Sequence, residues 1–325
     1  MAKLRSTLVV LGVAIGIAFS GRVSGQEDGG LEVVKVRKSF YMIAGAGGNI
    51  GVQIGSDGVV LVNTGTAKTT DQVIAAIKKL TDLPIRYIIN TDAGAEFVGG
   101  NEKLAKAGFT IFTNALGNAG FASAMTSGGA ASILAHESVL NRMTKDGYSN
   151  AAAPSEAFFA ARKPLRMNDE GIEVLYQPAA HSDADSFVLF RGSDVIVTGD
   201  VMDMNRFPMI DLAHGGTIQG EIDALNKLID LTIAPTPYIY KDVGTYVVPG
   251  HGRLSEQMEV VEYRDMVVIM RDRIEDLIGQ KKTLDQIKAA RPALPYETRY
   301  GAKTGAWTTD AFIEAIYKSL TTGKK

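Results

Sequence analysis

The chain has 325 residues, of which 46% are hydrophobic and 22% are charged. This is the composition of a globular protein with room for one large core or two smaller ones. The absence of cysteine excludes disulfides, thiolate zinc sites and a lipid-modified cysteine. Because 34 basic residues are balanced by 36 acidic ones, nothing in the composition suggests a nucleic-acid partner.

The N-terminal segment differs from the rest. Lys3 and Arg5 precede an apolar run from Leu8 to Phe19, and small residues follow, which is the layout of a secretory signal peptide. A single membrane anchor is the alternative, but about a dozen strongly apolar residues fall short of the roughly 20 that a spanning helix needs. We expect cleavage after residue 25, a periplasmic or secreted protein, and no stable membrane span after cleavage. Without residues 1–25, 31 basic residues face 36 acidic ones, a formal charge of −5.

The first half of the remaining chain alternates between strand and helix patterns. The predicted strands are 33–36, 40–43, 52–54, 59–62, 87–89 and 109–112, and the predicted helices are 73–80 and 102–107. The run at 59–62 is continuously apolar, as in a strand buried on both faces. The alternation predicts a layered α/β core.

The second half begins with a different pattern. Residues 116–168, rich in Gly, Ala and Ser, are interpreted as an insertion bordering a cleft, with helical pieces near 131–143. A second β unit is predicted at 172–175, 187–190, 195–197 and 245–248, and helices at 222–231, 257–278, 284–290 and 309–320. The repetition predicts two similar halves facing each other within one domain.

Five segments at predicted strand ends carry polar side chains. They are Asn63-Thr64-Gly65, Asn90 to Asn101, Ala180-His181-Ser182-Asp183, Thr198-Gly199-Asp200 and Pro249-Gly250-His251-Gly252. In this order they resemble the metallo-β-lactamase superfamily. The resemblance implies an α/β fold, a four-layer αββα sandwich with C-terminal helices. One such domain would cover 26–325, with its core at about 31–253 and a helical extension at about 254–325.

In that superfamily, loops at one rim hold one or two metal ions that make a nucleophile from water near neutral pH. Three positions match the family pattern here. His181 corresponds to an imidazole of the first metal, Asp200 to the carboxylate that bridges both metals, and His251 to an imidazole of the second metal.

The family's usual His-x-His-x-Asp-His cluster is degenerate in this chain. Its four ligand positions hold Asp92, Gly94, Glu96 and Phe97, so two imidazoles are missing, while Asp92 and Glu96 still offer oxygen. Asn63 stands where the family carries an aspartate, which removes a charge that would orient the ligands.

The expected metal ligands are therefore Asp92, Glu96, His181, Asp200 and His251, with Glu96 and Asp200 also as catalytic groups. This set predicts one divalent ion rather than two. Zinc is the first expectation, and manganese or iron(II) competes because the site is rich in carboxylates. The implied function is hydrolysis of a small ester or lactam-type molecule. The alternative is a catalytically inactive binding protein without metal, and iron-dependent redox chemistry is a third, weaker option.

Other motifs favour structural roles. His136 is interpreted as a structural helix histidine and His214 as a surface-loop histidine, with substrate contact as the alternative for His214. Gly45 to Asn49 is predicted to be a hairpin turn, since no Lys-Ser/Thr follows as in a phosphate-binding loop. No Gly-x-Ser-x-Gly element points to a serine hydrolase.

Overall fold

Two β-sheets form the centre of the protein. The computed structural model describes residues 30–110, 129–236 and 243–322. The predicted signal peptide at 1–25 lies outside the described residues. Among the helices of the described ranges, none combines the length and apolar character needed to cross a bilayer.

The first sheet has seven strands that lie in chain order. They are β1 (Glu32–Lys35), β2 (Phe40–Ala44), β3 (Ile50–Gly55), β4 (Gly58–Val62), β5 (Ile85–Ile89), β6 (Ser132–His136) and β7 (Glu156–Phe158). β1 to β4 form an antiparallel meander, whereas β4 to β7 pair in parallel. All five residues of β4 are buried, as its unbroken apolar sequence predicts.

The second sheet has five strands in the order β12-β11-β10-β9-β8. They are β8 (Arg162–Met167), β9 (Glu170–Tyr176), β10 (Ser186–Phe190), β11 (Val195–Val197) and β12 (Tyr246–Val248). Neighbours are antiparallel except β11 and β12, which run in parallel.

Nine α-helices are described. They are α1 (Thr70–Leu80), α2 (Ala95–Val98), α3 (Asn101–Ala107), α4 (Glu137–Lys145), α5 (Ile218–Leu231), α6 (Gln257–Gly279), α7 (Leu284–Ala289), α8 (Glu297–Tyr300) and α9 (Thr309–Thr322).

Apolar contacts join these elements into four layers. Between the sheets, Phe40 packs edge-on against Phe190 with ring centroids 4.8 Å apart. α1 and α3 cover the outer face of the first sheet, while α5 and α6 cover that of the second. The predicted αββα sandwich is therefore confirmed. The C-terminal helices α7 and α9 join the outer helical layer, where Phe312 stacks on Phe207 at 4.7 Å.

Three sequence interpretations differ from the structure, in whole or in part. The stretch read as an insertion, as far as it is described, contributes β6 and β7 to the first sheet and β8 to the second. The helical pieces expected near 131–143 are confirmed from Glu137 onward, but Ser132–His136 is a strand. A short apolar run fits either state until a neighbouring strand pairs with it. Phe109 and Thr110 are not in a strand, and 111–112 lie outside the described residues.

Candidate metal centre

Two turns at the ends of parallel strands deliver the best-placed site residues. Asp200 lies in a short 3-10 turn, Gly199–Val201, after β11, and His251 follows β12. The Gly250 amide donates to the Gly199 carbonyl at 2.9 Å. A Cβ atom on Gly250 would lie 2.6 Å from that carbonyl oxygen, so this position requires glycine. The close approach brings the two turns to one rim.

Glu96, Asp200 and His251 come together at this rim. One ligand atom from each lies within 4.8 Å of the other two. His251 Nε2 lies 3.2 Å from Asp200 Oδ1, yet it is buried and makes no directional hydrogen bond within the described part of the chain. A buried imidazole nitrogen of this kind calls for a further partner. Two carboxylates and an imidazole are suitable donors for one divalent ion.

His181 lies beside this trio. Its Nδ1 is 2.7 Å from the Met209 carbonyl oxygen, which can only accept, so Nδ1 carries a hydrogen and Nε2 is directed toward the site. Nε2 is 3.7 Å from Asp200 Oδ2. Burial lowers the pKa of His181, but the carboxylates of Asp185, Asp200 and Asp92 outweigh it and raise that pKa to about 10. Coordination through Nε2 therefore displaces a proton.

Opposite charges also act on Asp200, which is buried, and on His251, which is partly buried. Burial disfavours the ionised form of Asp200, but its contact with His251 and the charge of His181 hold its pKa below the usual range. Burial lowers the pKa of His251, but the carboxylates of Asp200 and Asp203 outweigh burial, so that this pKa is raised overall. The carboxylate of Asp200 thus stays ionised between two imidazoles.

Asp92 is placed differently from the other predicted ligands. It is 2% exposed, its Oδ2 accepts from the Ser182 hydroxyl at 2.9 Å, and its Oδ1 accepts from the Gly94 amide at 2.5 Å. Arg142 Nη1 lies 3.9 Å from Oδ2. Of the five predicted ligands, the structure therefore groups three, places His181 next to them, and engages Asp92 in protein contacts.

The loop that carries Glu96 is fixed by buried side-chain amides. Asn90 and Asn101 exchange hydrogen bonds of 3.0 and 2.8 Å between their carboxamides. The single hydroxyl hydrogen of Thr64 has two acceptors within reach, Phe97 O at 2.9 Å and Asn101 Oδ1 at 3.0 Å. Asn63 Oδ1 accepts from both the amide and the hydroxyl of Thr91 at 3.0 Å. A neutral Asn63 therefore holds the residue before Asp92 without the charge of an aspartate.

Three ionisable groups near the centre, one partly buried and two buried, had not been identified from the sequence. Arg142 extends from α4, and Asp185 Oδ2 accepts from the Ser182 amide at 2.6 Å. Glu221 on α5 is fully buried, and neither of its carboxylate oxygens has a hydrogen-bond partner among the described residues. Burial, assisted by neighbouring carboxylates, raises the pKa of Asp185 and Glu221 well above the usual range.

The remaining histidines do not join the centre. His136 is buried, stacks on Tyr176 with ring centroids 3.7 Å apart, and caps α4 by accepting from the Ser138 amide. His214 is exposed and pairs with Asp211, whose Oδ2 lies 2.5 Å from Nδ1. His136 is therefore structural, at the start of the helix, and His214 is a surface-loop residue.

Asn49 secures the turn that carries His251. Its Nδ2 donates to the carbonyls of Pro249 and Gly252, both at 2.9 Å. Asn49→Asp is expected to lower the free energy of unfolding by about 1–3 kcal/mol, because both donors are lost and a carboxylate faces two carbonyl oxygens. Urea unfolding measures this effect. Asn205→Asp, the same change at an exposed neighbour of Gly252, is the control; equal losses in both variants would contradict a clamping role for Asn49.

Comparison with known proteins identifies the fold. No protein-family model and no curated protein matches the chain. A double mutant of the sec-alkylsulfatase PisA1 is similar with a TM-score of 0.64 at 16% identity, covering 90% of this chain and 50% of that one. The stereoselective inverting sec-alkylsulfatase Pisa1 from Pseudomonas sp. gives 0.62 at 15%, covering 89% and 50%.

A metallo-β-lactamase from Pontibacter korlensis gives 0.53 at 15% identity, covering 73% of this chain and 98% of that one. The chain thus has the metallo-β-lactamase fold, and it spans about half the length of the alkylsulfatases.

Proposed function

We propose that this protein is a metal-dependent hydrolase with a single-ion site. The observation that carries the proposal is the grouping of Glu96, Asp200 and His251 at the strand-end rim, with ligand atoms within 4.8 Å of one another. His181 completes the set through Nε2, which its contact with Met209 directs toward Asp200. When bound, the ion would lower the pKa of a water molecule and polarise the bond to be cleaved.

The protein's own groups divide the remaining tasks. Asp200 is deeply buried and holds the two imidazoles in place by charge. Glu96 is only partly buried, so its carboxylate can both bind the ion and accept a proton from the attacking water. His181 and His251 serve as ligands. Zinc is the expected ion, while two carboxylates leave manganese and iron(II) as competitors.

The substrate class that we propose is a small molecule with an ester, sulfate ester or lactam bond. The similar folds of a sec-alkylsulfatase and a metallo-β-lactamase support this range. We further propose a periplasmic or secreted location. That proposal rests on the sequence of residues 1–25 and is tested by the intact mass of the exported protein, which cleavage after residue 25 would reduce accordingly.

The test combines metal content with turnover. The protein, purified without a metal-affinity tag and dialysed against a mild chelator, is expected to retain about one zinc, manganese or iron ion per chain. Hydrolysis of p-nitrophenyl acetate, p-nitrophenyl sulfate and a chromogenic lactam is then compared before and after stripping. Ion retention with metal-dependent turnover of any of the three supports the proposal.

A second candidate is a binding protein without metal, favoured by the engagement of Asp92 with Ser182 and Gly94. Failure to retain any ion, with a melting temperature that no added ion changes, would reject the hydrolase in its favour.

A further inference from the structure

Arg142 occupies an unusual position for a basic residue. It belongs to α4 on the first-sheet side, yet its side chain is only 12% exposed and reaches the loop of the second sheet that carries His181. There, Nη2 pairs with Asp183 Oδ1, and Nη1 lies 3.9 Å from Asp92 Oδ2. The guanidinium therefore lies beside the most buried carboxylate of the degenerate motif.

Both carboxylate oxygens of Asp92 have partners within the protein. Ser182, Gly94 and Arg142 supply two hydrogen bonds and a compensating charge. A buried carboxylate without such compensation would be costly to ionise. Within the described ranges, the only group of three or more potential ligands whose donor atoms all lie within 4.8 Å of one another is Glu96, Asp200 and His251. His181 Nε2 lies beside this group, 3.7 Å from Asp200 Oδ2, and Asp92 is not part of it.

We propose that Arg142 is a built-in cation that replaces the first metal ion of the two-metal arrangement. This inference rests on the proposed single-ion site and specifies why that site stays single. Loss of an imidazole at Gly94 removes one ligand, and the guanidinium both neutralises Asp92 and opposes a second dication by repulsion. Arg142 also ties α4 to the His181 loop through Asp183, so it positions that loop.

Substitutions at Gly94 can separate the two reasons why a second ion does not bind, namely the missing imidazole at position 94 and the positive charge of Arg142. At Gly94, the φ of −59° and ψ of 141° are accessible to any residue, and an added Cβ atom would meet Asp92, Glu96 and Phe97 at 3.3 Å, which small shifts can accommodate. Gly94→His therefore restores an imidazole while Arg142 remains in place. Gly94→His/Arg142→Met restores the imidazole and removes the cation.

The experiment counts zinc per chain by elemental analysis, after saturation with zinc alone and dialysis against a mild chelator. We expect about one zinc in the wild type and in Gly94→His, and about two in Gly94→His/Arg142→Met. Gly94→His/Lys145→Met, which removes an exposed charge from the same helix, is the matched control and should stay at about one.

Two results would overturn the inference: a second zinc in Gly94→His while Arg142 is present, or the same count with and without Arg142. Gly94→His/Arg142→Gln, which keeps a hydrogen-bonding group near Asp183, repeats the test if the methionine variant does not fold. The wild-type count tests the proposed hydrolase, whereas the difference between variants tests Arg142, so the two failures are distinguishable.

Discussion

His181→Ala/His251→Ala is expected to reduce the retained metal to less than about one-tenth of the wild-type content. Loss of a single supporting partner around a metal typically lowers affinity by about 10–100-fold, and this variant removes two ligands outright. Turnover should fall by at least about 100-fold, because the remaining carboxylates cannot fix an ion at the bond to be cleaved. The measurements are elemental analysis and kcat/KM on whichever test substrate the wild type hydrolyses.

His214→Ala is the matched control for metal content, since it removes an imidazole that lies on an exposed loop and pairs with Asp211. It should retain the wild-type amount of metal. The thermal shift on adding zinc gives an independent readout: binding to the native state alone raises stability by about 2.7 kcal/mol at 100 times the dissociation constant. If the double variant keeps its metal, or if zinc stabilises it as much as the wild type, these histidines are not ligands.

The polar residues at the rim of the sandwich could be predicted, because each of them directly follows a strand that is recognisable from its own short sequence. The apolar run of β4 ends at Asn63, that of β11 precedes Thr198-Gly199-Asp200, and that of β12 precedes Pro249-Gly250-His251. Strands of this kind are recognisable from a few residues, and polar residues after them fall at one edge when the strands run in parallel. The position of these polar residues at one rim thus follows from local sequence, whereas the αββα arrangement was implied by the resemblance to the metallo-β-lactamase superfamily.

The charges that surround the centre could not be predicted in the same way. Arg142 lies 50 residues after Asp92 in the chain, on a helix whose packing against the His181 loop is a property of the tertiary structure. Glu221 did leave a local signal. It stands three residues after Ile218 and four before Leu225, both buried, so helical periodicity places it on the apolar face of α5.

Within residues 116–168, which were interpreted as an insertion, a strand was mistaken for a helix. Ile133, Leu134 and Ala135 form an apolar run too short to distinguish a strand from a buried helix. Its strand state depends on parallel pairing with β5, where Ile88 lies opposite Ile133. Because this pairing joins segments more than 40 residues apart, local composition favoured the wrong element.

Glu221→Met is expected to stabilise the protein by roughly 1–3 kcal/mol at neutral pH, since a fully buried carboxyl with no hydrogen-bond partner among the described residues carries its full desolvation penalty. Methionine is unbranched and flexible enough to fill the same space within the apolar cluster of α5 and α6. Equilibrium urea unfolding in the presence of a chelator measures the effect without a contribution from metal binding.

The stability gained in Glu221→Met should depend on pH, and the raised pKa of Glu221 determines whether it grows or shrinks as the pH rises. At a pH below the pKa that Glu221 has in the unfolded chain, its carboxyl is protonated in both the folded and the unfolded state, so its titration does not change the free energy of unfolding. As the pH rises above that value, the unfolded chain releases a proton that the folded protein retains, so stability declines by up to about 1.4 kcal/mol per pH unit until the folded group also ionises. Glu221→Met removes this decline and should therefore gain more stability at pH 8 than at pH 5.

Glu221→Gln separates ionisation from polarity, because it keeps a buried polar group and abolishes the titration. Glu221→Gln should therefore show the pH-dependent part of the stability gain expected for Glu221→Met, but not the part that comes from removing a buried polar group. Asp185, whose pKa is raised in the same way, remains in both variants, so some of the decline above pH 5 should persist. A methionine variant less stable than the wild type at both pH values would contradict this expectation and mean that the carboxyl of Glu221 makes a net favourable contribution to the folded state.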